Sequence, residues 1–249
     1  MSKLVVDVMG SFVAGLKLES KVLSFSVPAT LPGSFSSSFS NSFSVGATIV
    51  PETTTITVCD MFHARPGLSC FLDGVEYSIT ETDRETGTVI VVGYAEDPVL
   101  FSMPAPHYFH GTPTATGAEI SRLRDADKVP MIYLLEIIRE TVQGEDSAYV
   151  SVADLRLFFL DVADYTKWTT DDHYAKTIQG LRSLADAFIT QARKHRGFGK
   201  LAEIDLITHV KFGVYQTDKG HINSLFNERL TGIEMRASFP VRDCSPKCY

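Results

Sequence analysis

Period-two alternation of apolar and polar residues runs through most of this 249-residue chain and points to strands. One long stretch, residues 171–196, instead repeats apolar residues at four-three spacing. Tyr174, Ile178, Leu181, Ala185, Phe188 and Ala192 fall on one helical stripe. A chain patterned this way must bury a helix stripe against a sheet face. Thr169 or Thr170 can cap the helix start, and Asp171 and Asp172 suit its first turn. Arg193, Lys194, His195 and Arg196 suit its last turn, before Gly197. The helix dipole accounts for that basic end without a bound phosphate.

The first half reads as a compact β-unit. TTTITVCDMF alternates and is β-branched, LSCFLDGVEYSIT holds the hairpin signal Asp73-Gly74, and TVIVVGY is a further strand. Short strands with tight turns predict a small antiparallel barrel or sandwich. Within it, residues 22–50 alternate Phe or Val with Ser, and Phe25, Phe35, Phe39 and Phe43 share one parity. That pattern suits an ordinary hairpin of the sheet, or an extended hairpin arm whose Phe face a neighbouring subunit covers, or disorder, since Ser-rich stretches often stay unfolded. Pro28, Pro32 and Gly33 mark its turn.

Residues 98–113 hold four prolines among aromatics and read as an extended connector. His107 and His110 could share a metal only on a helix, which Pro104, Pro106 and Pro113 disfavour. Thr116 and Glu119 form a capping-box pattern that predicts a short helix over 116–126. MIYLLEIIRE (131–140) is ambiguous between strand and helix, and its Ile and Tyr favour a strand. Residues 153–163 read as a buried strand, with Leu157 to Leu160 apolar on both faces, as an interior strand would be. Residues 206–216 and 233–239 supply two closing strands. In the last, Ile233, Met235, Ala237 and Phe239 alternate with Glu234, Arg236 and Ser238, so one face is core and the other wet or shared. The long polar loop between them has Leu225 and Phe226 as anchors, and connections of that length are commonly functional. The expected organisation is a β-rich domain over 1–110 and an α+β domain over 111–249. The second has an antiparallel sheet packed on one long amphipathic helix.

The chain carries 23 Lys+Arg against 30 Asp+Glu, a net charge of −7, and residues 1–110 account for −6 of it. Such acidity disfavours a nucleic-acid binder held by phosphate contacts. No apolar run reaches membrane-span length, and the first ten residues make a poor leader. Cys59, Cys70, Cys244 and Cys248 contain only one close pair, so free thiols are expected rather than a zinc site. The common hydrolase, nucleotide-binding and metalloprotease motifs are missing. Asp171, Asp172 and His173 are adjacent on a helix and point apart. No catalytic, cofactor-binding or metal-binding residue is assigned, and no cofactor is expected.

The second half carries a resemblance. YFHGTP (108–113), KVPMIYLLEIIRE (128–140), DLRLFFLD (154–161), WTTDDHY (168–174), HVKFG (209–213) and LTGIEMRASFPV (230–241) occur in an order that resembles neck and tail structural proteins of tailed bacteriophages. Roughly residues 105–241 are similar to tail-terminator or head–tail connector proteins, while the β-rich first half lies outside that pattern. The resemblance implies a non-enzymatic virion subunit, assembled in the host cytoplasm as a homo-oligomeric ring. Its partners would be copies of itself and a portal-side adaptor, tail tube or tail hub, with DNA passing through the channel and no membrane. Ring closure needs a heterologous interface, for which Phe25, Phe35, Phe39, Phe43, Leu225 and Phe226 are the candidate residues. The alternatives are a baseplate, tail-tip or capsid-decoration protein, or an enzyme of unknown type with a deep polar pocket.

Overall fold

A computed structural model describes residues 2–27, 53–123, 128–143, 150–201, 203–216, 222–224, 226 and 229–241. The fold is mixed α+β and dominated by strands, with a closed six-stranded antiparallel barrel and a second sheet. Two compact units form: Glu19–Ser102, and Met1–Leu18 together with Met103–Tyr249. The boundary therefore lies at 102/103 rather than at 110, and the first residues of the chain belong with its second half.

The smaller unit is the barrel. Its strands are β1 (Leu18–Ser26), β2 (Thr53–Val58), β3 (Ser69–Leu72), β4 (Val75–Asp83), β5 (Thr88–Val92) and β6 (Leu100–Met103), closed in the order β1-β2-β5-β4-β3-β6. Alternation sets the inside: Thr54, Ile56 and Val58 of β2 are buried while Thr53, Thr55 and Thr57 are half-buried. Val89 and Val91 of β5 and Ile79 of β4 join them in the interior. The Val22 N–H donates to the Val99 carbonyl at 2.9 Å and helps close the barrel between β1 and β6. Asp73-Gly74 makes the expected two-residue turn between β3 and β4, with φ of 48° and 85°. Of the Phe/Ser stretch, only its start lies in β1; residues 28–50 lie outside the described residues.

The larger unit begins with α1 (Ser2–Ala14), which the sequence reading did not anticipate. Val5, Val6, Met9, Phe12 and Val13 are buried along one face of it. After the barrel come β7 (His107–Gly111), α2 (Pro113–Ile120), β8 (Met131–Leu135), β9 (Arg139–Gln143) and β10 (Val150–Val162). Next are α3 (Thr170–His173), a π-helical turn (Tyr174–Ile178) and α4 (Gln179–Ala192), which run as one continuous helix. Then follow β11 (Ile204–Phe212), β12 (Val214–Gln216), β13 (Ile222–Ser224) and β14 (Leu230–Val241). The main sheet has the order β11-β14-β10-β8-β7, with β9 also on β10, while β12 and β13 pair separately.

This sheet departs from the expected all-antiparallel arrangement. β7 and β8 are parallel, with Phe109 opposite Tyr133. A parallel pair needs a crossover, and α2 supplies it. Its start also differs from expectation. Thr112 is the N-cap and Pro113 opens the helix, where a missing N–H costs nothing; Thr116 is buried inside it. The prolines that exclude a helix over 107–110 thus include one that starts the next.

One sheet face carries two helices rather than one. The Phe188 ring of α4 meets Phe159 of β10 at 5.4 Å and Phe12 of α1 at 5.0 Å, and Phe198 stacks edge-on against Phe239 of β14. The main chain of Lys17 and the amide of Gln191 exchange hydrogen bonds, tying the segment after α1 to α4. The opposite face carries Tyr133, Phe158, Phe212 and Phe226, packed with Phe109 and with Ile120 of α2.

The long helix keeps the expected cap but not the expected phase. Thr169 and Asp172 form a reciprocal capping box. The π-turn, closed by the Gln179 N–H on the Tyr174 carbonyl, inserts one extra residue. Five positions rather than four then separate residues sharing a face, so His173 lies inward beneath Ile178 and Tyr174 is exposed.

Gly232 of β14 faces the main chain of β10 so closely that an added Cβ would collide with the Phe159 carbonyl oxygen and lie 2.8 Å from Leu160 Cδ2. Gly232→Ala is expected to destabilise the larger unit by about 3 kcal/mol, the upper range for overpacking. Urea unfolding measures it, and a midpoint unchanged from the parent would contradict this packing.

Candidate functional site

The sheet's second face ends in a charge cluster that alternation alone misplaces. Glu234 has the parity expected to be wet, yet its side chain is only 1% exposed. Register explains the neighbours. Across β10 and β14, Phe158 lies opposite Glu234 and Arg156 opposite Arg236. On the other side, Ile207 and Asp205 of β11 lie opposite Glu234 and Arg236. Two guanidiniums therefore stand beside one buried carboxylate.

Arg156 donates to Glu234 Oε1 through Nε and Nη2, both at 2.7 Å, and Arg236 Nε donates to the same oxygen at 2.6 Å. His209 Nε2 lies 2.9 Å from Oε2. Burial alone would raise the Glu234 pKa. The hydrogen bonds from Arg236, Arg156 and His209 outweigh that and bring it down to about 2. Beyond the cluster lies an open groove of about 370 Å³, lined by Arg139, Arg156 and Arg236, by Asp154, Glu203 and Asp205, and by Ile137, Leu155 and Ala237. Ser238 donates to Asp154 there at 2.6 Å. Charges so matched suit contact with another polar protein surface.

The barrel offers a surface of opposite character. Nine large apolar side chains are exposed among the described residues, and six of them lie around one end of the barrel. These are Leu23 and Phe25 late in β1, Tyr94 just after β5, Val75 opening β4, and Val99 and Leu100 at the start of β6. Antiparallel closure brings those strand ends together. The Asp73 carboxylate accepts from the Val99 and Leu100 N–H groups at 3.1 and 2.9 Å, holding the β3–β4 turn against β6. A bulge between Val22 and Ser24 leaves Leu23 exposed. Phe25 lies opposite inward-facing Ile56 yet is 40% exposed, because β1 ends at the mouth.

The six residues assigned from sequence to an interface separate here. Phe25 lies on the apolar rim. Phe35, Phe39, Phe43 and Leu225 lie outside the described residues. Phe226 is 3% exposed, between Tyr133 and Phe212, so it anchors its loop to this chain's own core and offers no surface to a partner. The rim itself was legible only in part. Leu23 lies far from Tyr94 and Val99 in the sequence, and barrel closure gathers them.

Other singled-out groups have structural partners. His110 Nδ1 lies 2.6 Å from Glu136 Oε1. Asp172 completes the helix cap and pairs with Lys176 at 2.7 Å. Cys59 is exposed, whereas Cys70 is buried, which pushes its thiol up to about 12; Cys244 and Cys248 lie outside the described residues. Among the described residues, no group of three His, Cys, Asp or Glu is placed to hold a metal, and no helix is long and apolar enough to cross a membrane. His173 was not anticipated. It is buried against the Tyr165 and Trp168 rings, and neither ring nitrogen has a hydrogen-bond partner among the described residues. Compared with known proteins, the chain matches no protein-family profile and no curated sequence.

Glu234→Gln leaves Arg156 and Arg236 facing each other without their counter-charge, and should cost about 3 kcal/mol in denaturant unfolding. The pH dependence follows in sign. Glu234 ionises at lower pH when folded than its ordinary 4.5. Its contribution is therefore complete above that value and is lost as pH falls towards about 2. Glu234→Gln should flatten stability across that window; an unchanged acid limb would contradict the pairing.

His173 titrates in the same direction for a different reason. Burial, and then the Lys211 charge, hold its pKa below the ordinary 6.5, against a smaller opposing effect of Asp172. The unfolded chain then binds a proton that the folded chain resists. Stability should fall as pH drops below 6.5, and His173→Leu should remove that part of the slope. A parent-like slope between pH 5 and 6.5, about the range where a free imidazole charges, would contradict it.

Proposed function

We propose that this chain is a structural subunit of a tailed-phage virion, forming a ring at the head–tail junction or tail end as a connector or tail terminator. The observation that carries this reading is the apolar rim at one end of the barrel. Large apolar side chains gathered in one exposed patch mark an association surface. The resemblance of residues 105–241 to neck and tail proteins gives that surface its context. The Phe/Ser arm and the long loop before β14 would reach to neighbouring subunits. The partners are other copies of the chain and an adaptor, tail tube or hub. The acidic composition would let DNA slide through the channel without specific contact.

A second reading, a baseplate, tail-tip or capsid-decoration protein, is favoured by one feature: the barrel forms a compact unit of its own. Decoration would need only that unit to engage a partner.

Native mass spectrometry and negative-stain imaging of the purified protein test the ring. The expected result is a closed oligomer of one stoichiometry; a protein that stays monomeric at every accessible concentration would sink it. Fluorescence anisotropy with duplex DNA at low salt should show little binding. Tight binding that weakens steeply with added salt would contradict a sliding channel.

A further inference from the structure

We infer that the apolar rim of the barrel is the docking site for the Phe/Ser segment, residues 28–50, of a neighbouring copy of this chain. This deepens the ring reading and rests on it. Three observations lead there.

The first is where the chain leaves and returns. Ser26 lies opposite Thr55 in the β1–β2 register, so residues 27–52 start and finish at the rim itself. An extended chain spans about 3.3 Å per residue, so half of that segment reaches about 40 Å. That length would let the segment leave its own barrel and reach towards a neighbouring copy.

The second is chemistry. No Lys, Arg, Asp or Glu occurs between residues 22 and 51, the longest uncharged stretch of an otherwise ordinary chain. Phe35, Phe39 and Phe43 recur at every fourth position within it. The rim presents Leu23, Phe25, Val75, Tyr94, Val99 and Leu100. The Asp73 carboxylate at this end is already bound by the backbone N–H groups of Val99 and Leu100, and the exposed acids Glu76, Glu96 and Asp97 flank the apolar side chains. An uncharged segment can cover the apolar groups without bringing a charge of its own out of water. The open groove of the larger unit adds three arginines and three acids to its apolar lining, so an uncharged segment would leave those charges without partners there.

The third is exposure. Among the described residues the six rim side chains are 39–59% exposed. A second copy would cover them. Exchange of a segment around a ring gives each subunit one donor and one acceptor surface, the requirement for a heterologous closed interface.

The test uses the full chain. Phe39 is replaced by the photocrosslinker benzoylphenylalanine, and light and heavy isotope-labelled preparations are unfolded, mixed and refolded together. Native mass spectrometry is run on the same mixture. The expected result is a ring in which position 39 links to peptides containing Leu23 or Val99, with about half the links joining light to heavy protein. In a second variant, Leu23→Asp with Val99→Asp, circular dichroism should report an intact fold. Ring formation should weaken at least tenfold, and links from position 39 should disappear. Rings whose links join only like-labelled peptides, or lead elsewhere than the rim, overturn the docking and leave the ring reading standing. A rim variant that assembles and links like the parent also overturns the docking. A protein that forms no oligomer overturns both.

Discussion

The pairing of β10 with β14 is the constraint on which the larger unit depends. Twelve residue pairs run in unbroken antiparallel register from Ser151 opposite Val241 to Val162 opposite Leu230. Both strands are interior, so each also holds a further neighbour: β11 on one side, β8 and β9 on the other. That register decides which residues share a face. It sets Phe159 and Met235 under the helices and puts Arg156, Phe158, Glu234 and Arg236 on the other side. A slip of one residue would turn Glu234 into the helical layer and leave its carboxylate without a cation. The Arg–Glu–Arg arrangement therefore works as a register lock as much as a source of stability. A buried ion pair replaced by apolar residues is often no less stable, but its partners cannot be mismatched cheaply.

The same face shows how polar and apolar burial are combined. The Arg156 guanidinium lies 5.6 Å from the Phe158 ring centre while reaching Glu234. His209 contacts the carboxylate through Nε2 and lies near the Phe158 and Phe212 rings. Aromatic walls lower the local dielectric, which strengthens a fully paired carboxylate and penalises an unpaired one. The His173 site is the contrasting case. Its imidazole is enclosed by Tyr165 and Trp168, and neither ring nitrogen has a partner among the described residues, so the neutral form is the one that fits.

What was legible in the sequence follows from how local each cause is. The Asp73-Gly74 turn, the alternation of β2 and β5, the interior character of Leu157 to Leu160 and the Thr169 cap are set by neighbouring residues. The helix phase before Ile178 was not legible, because one inserted π-turn changes the spacing without changing composition. Burial of Glu234 was invisible because its hydrogen-bond partners come from residues 156, 209 and 236, brought together only by register. Helix α1 did carry a signal: Val5, Met9 and Phe12 recur at helical spacing and are buried. The parallel β7–β8 pair was hidden behind Pro113, which reads as a breaker but starts the crossover helix.

The two surfaces differ in the work they can do. In the larger unit, both sheet faces are mostly covered by the chain's own helices and aromatics, and one open groove carries charges of both signs. Such a groove contributes little free energy on contact, because each charge must exchange water for a partner of similar strength. It does discriminate, since a shifted partner would set like charges opposite each other. The barrel rim is the reverse: its apolar groups gain from any burial and impose little direction. An assembly built on both would draw its affinity from the rim and its alignment from the groove. Substitutions at the rim would then change how much assembles, and substitutions in the groove would change which neighbours fit.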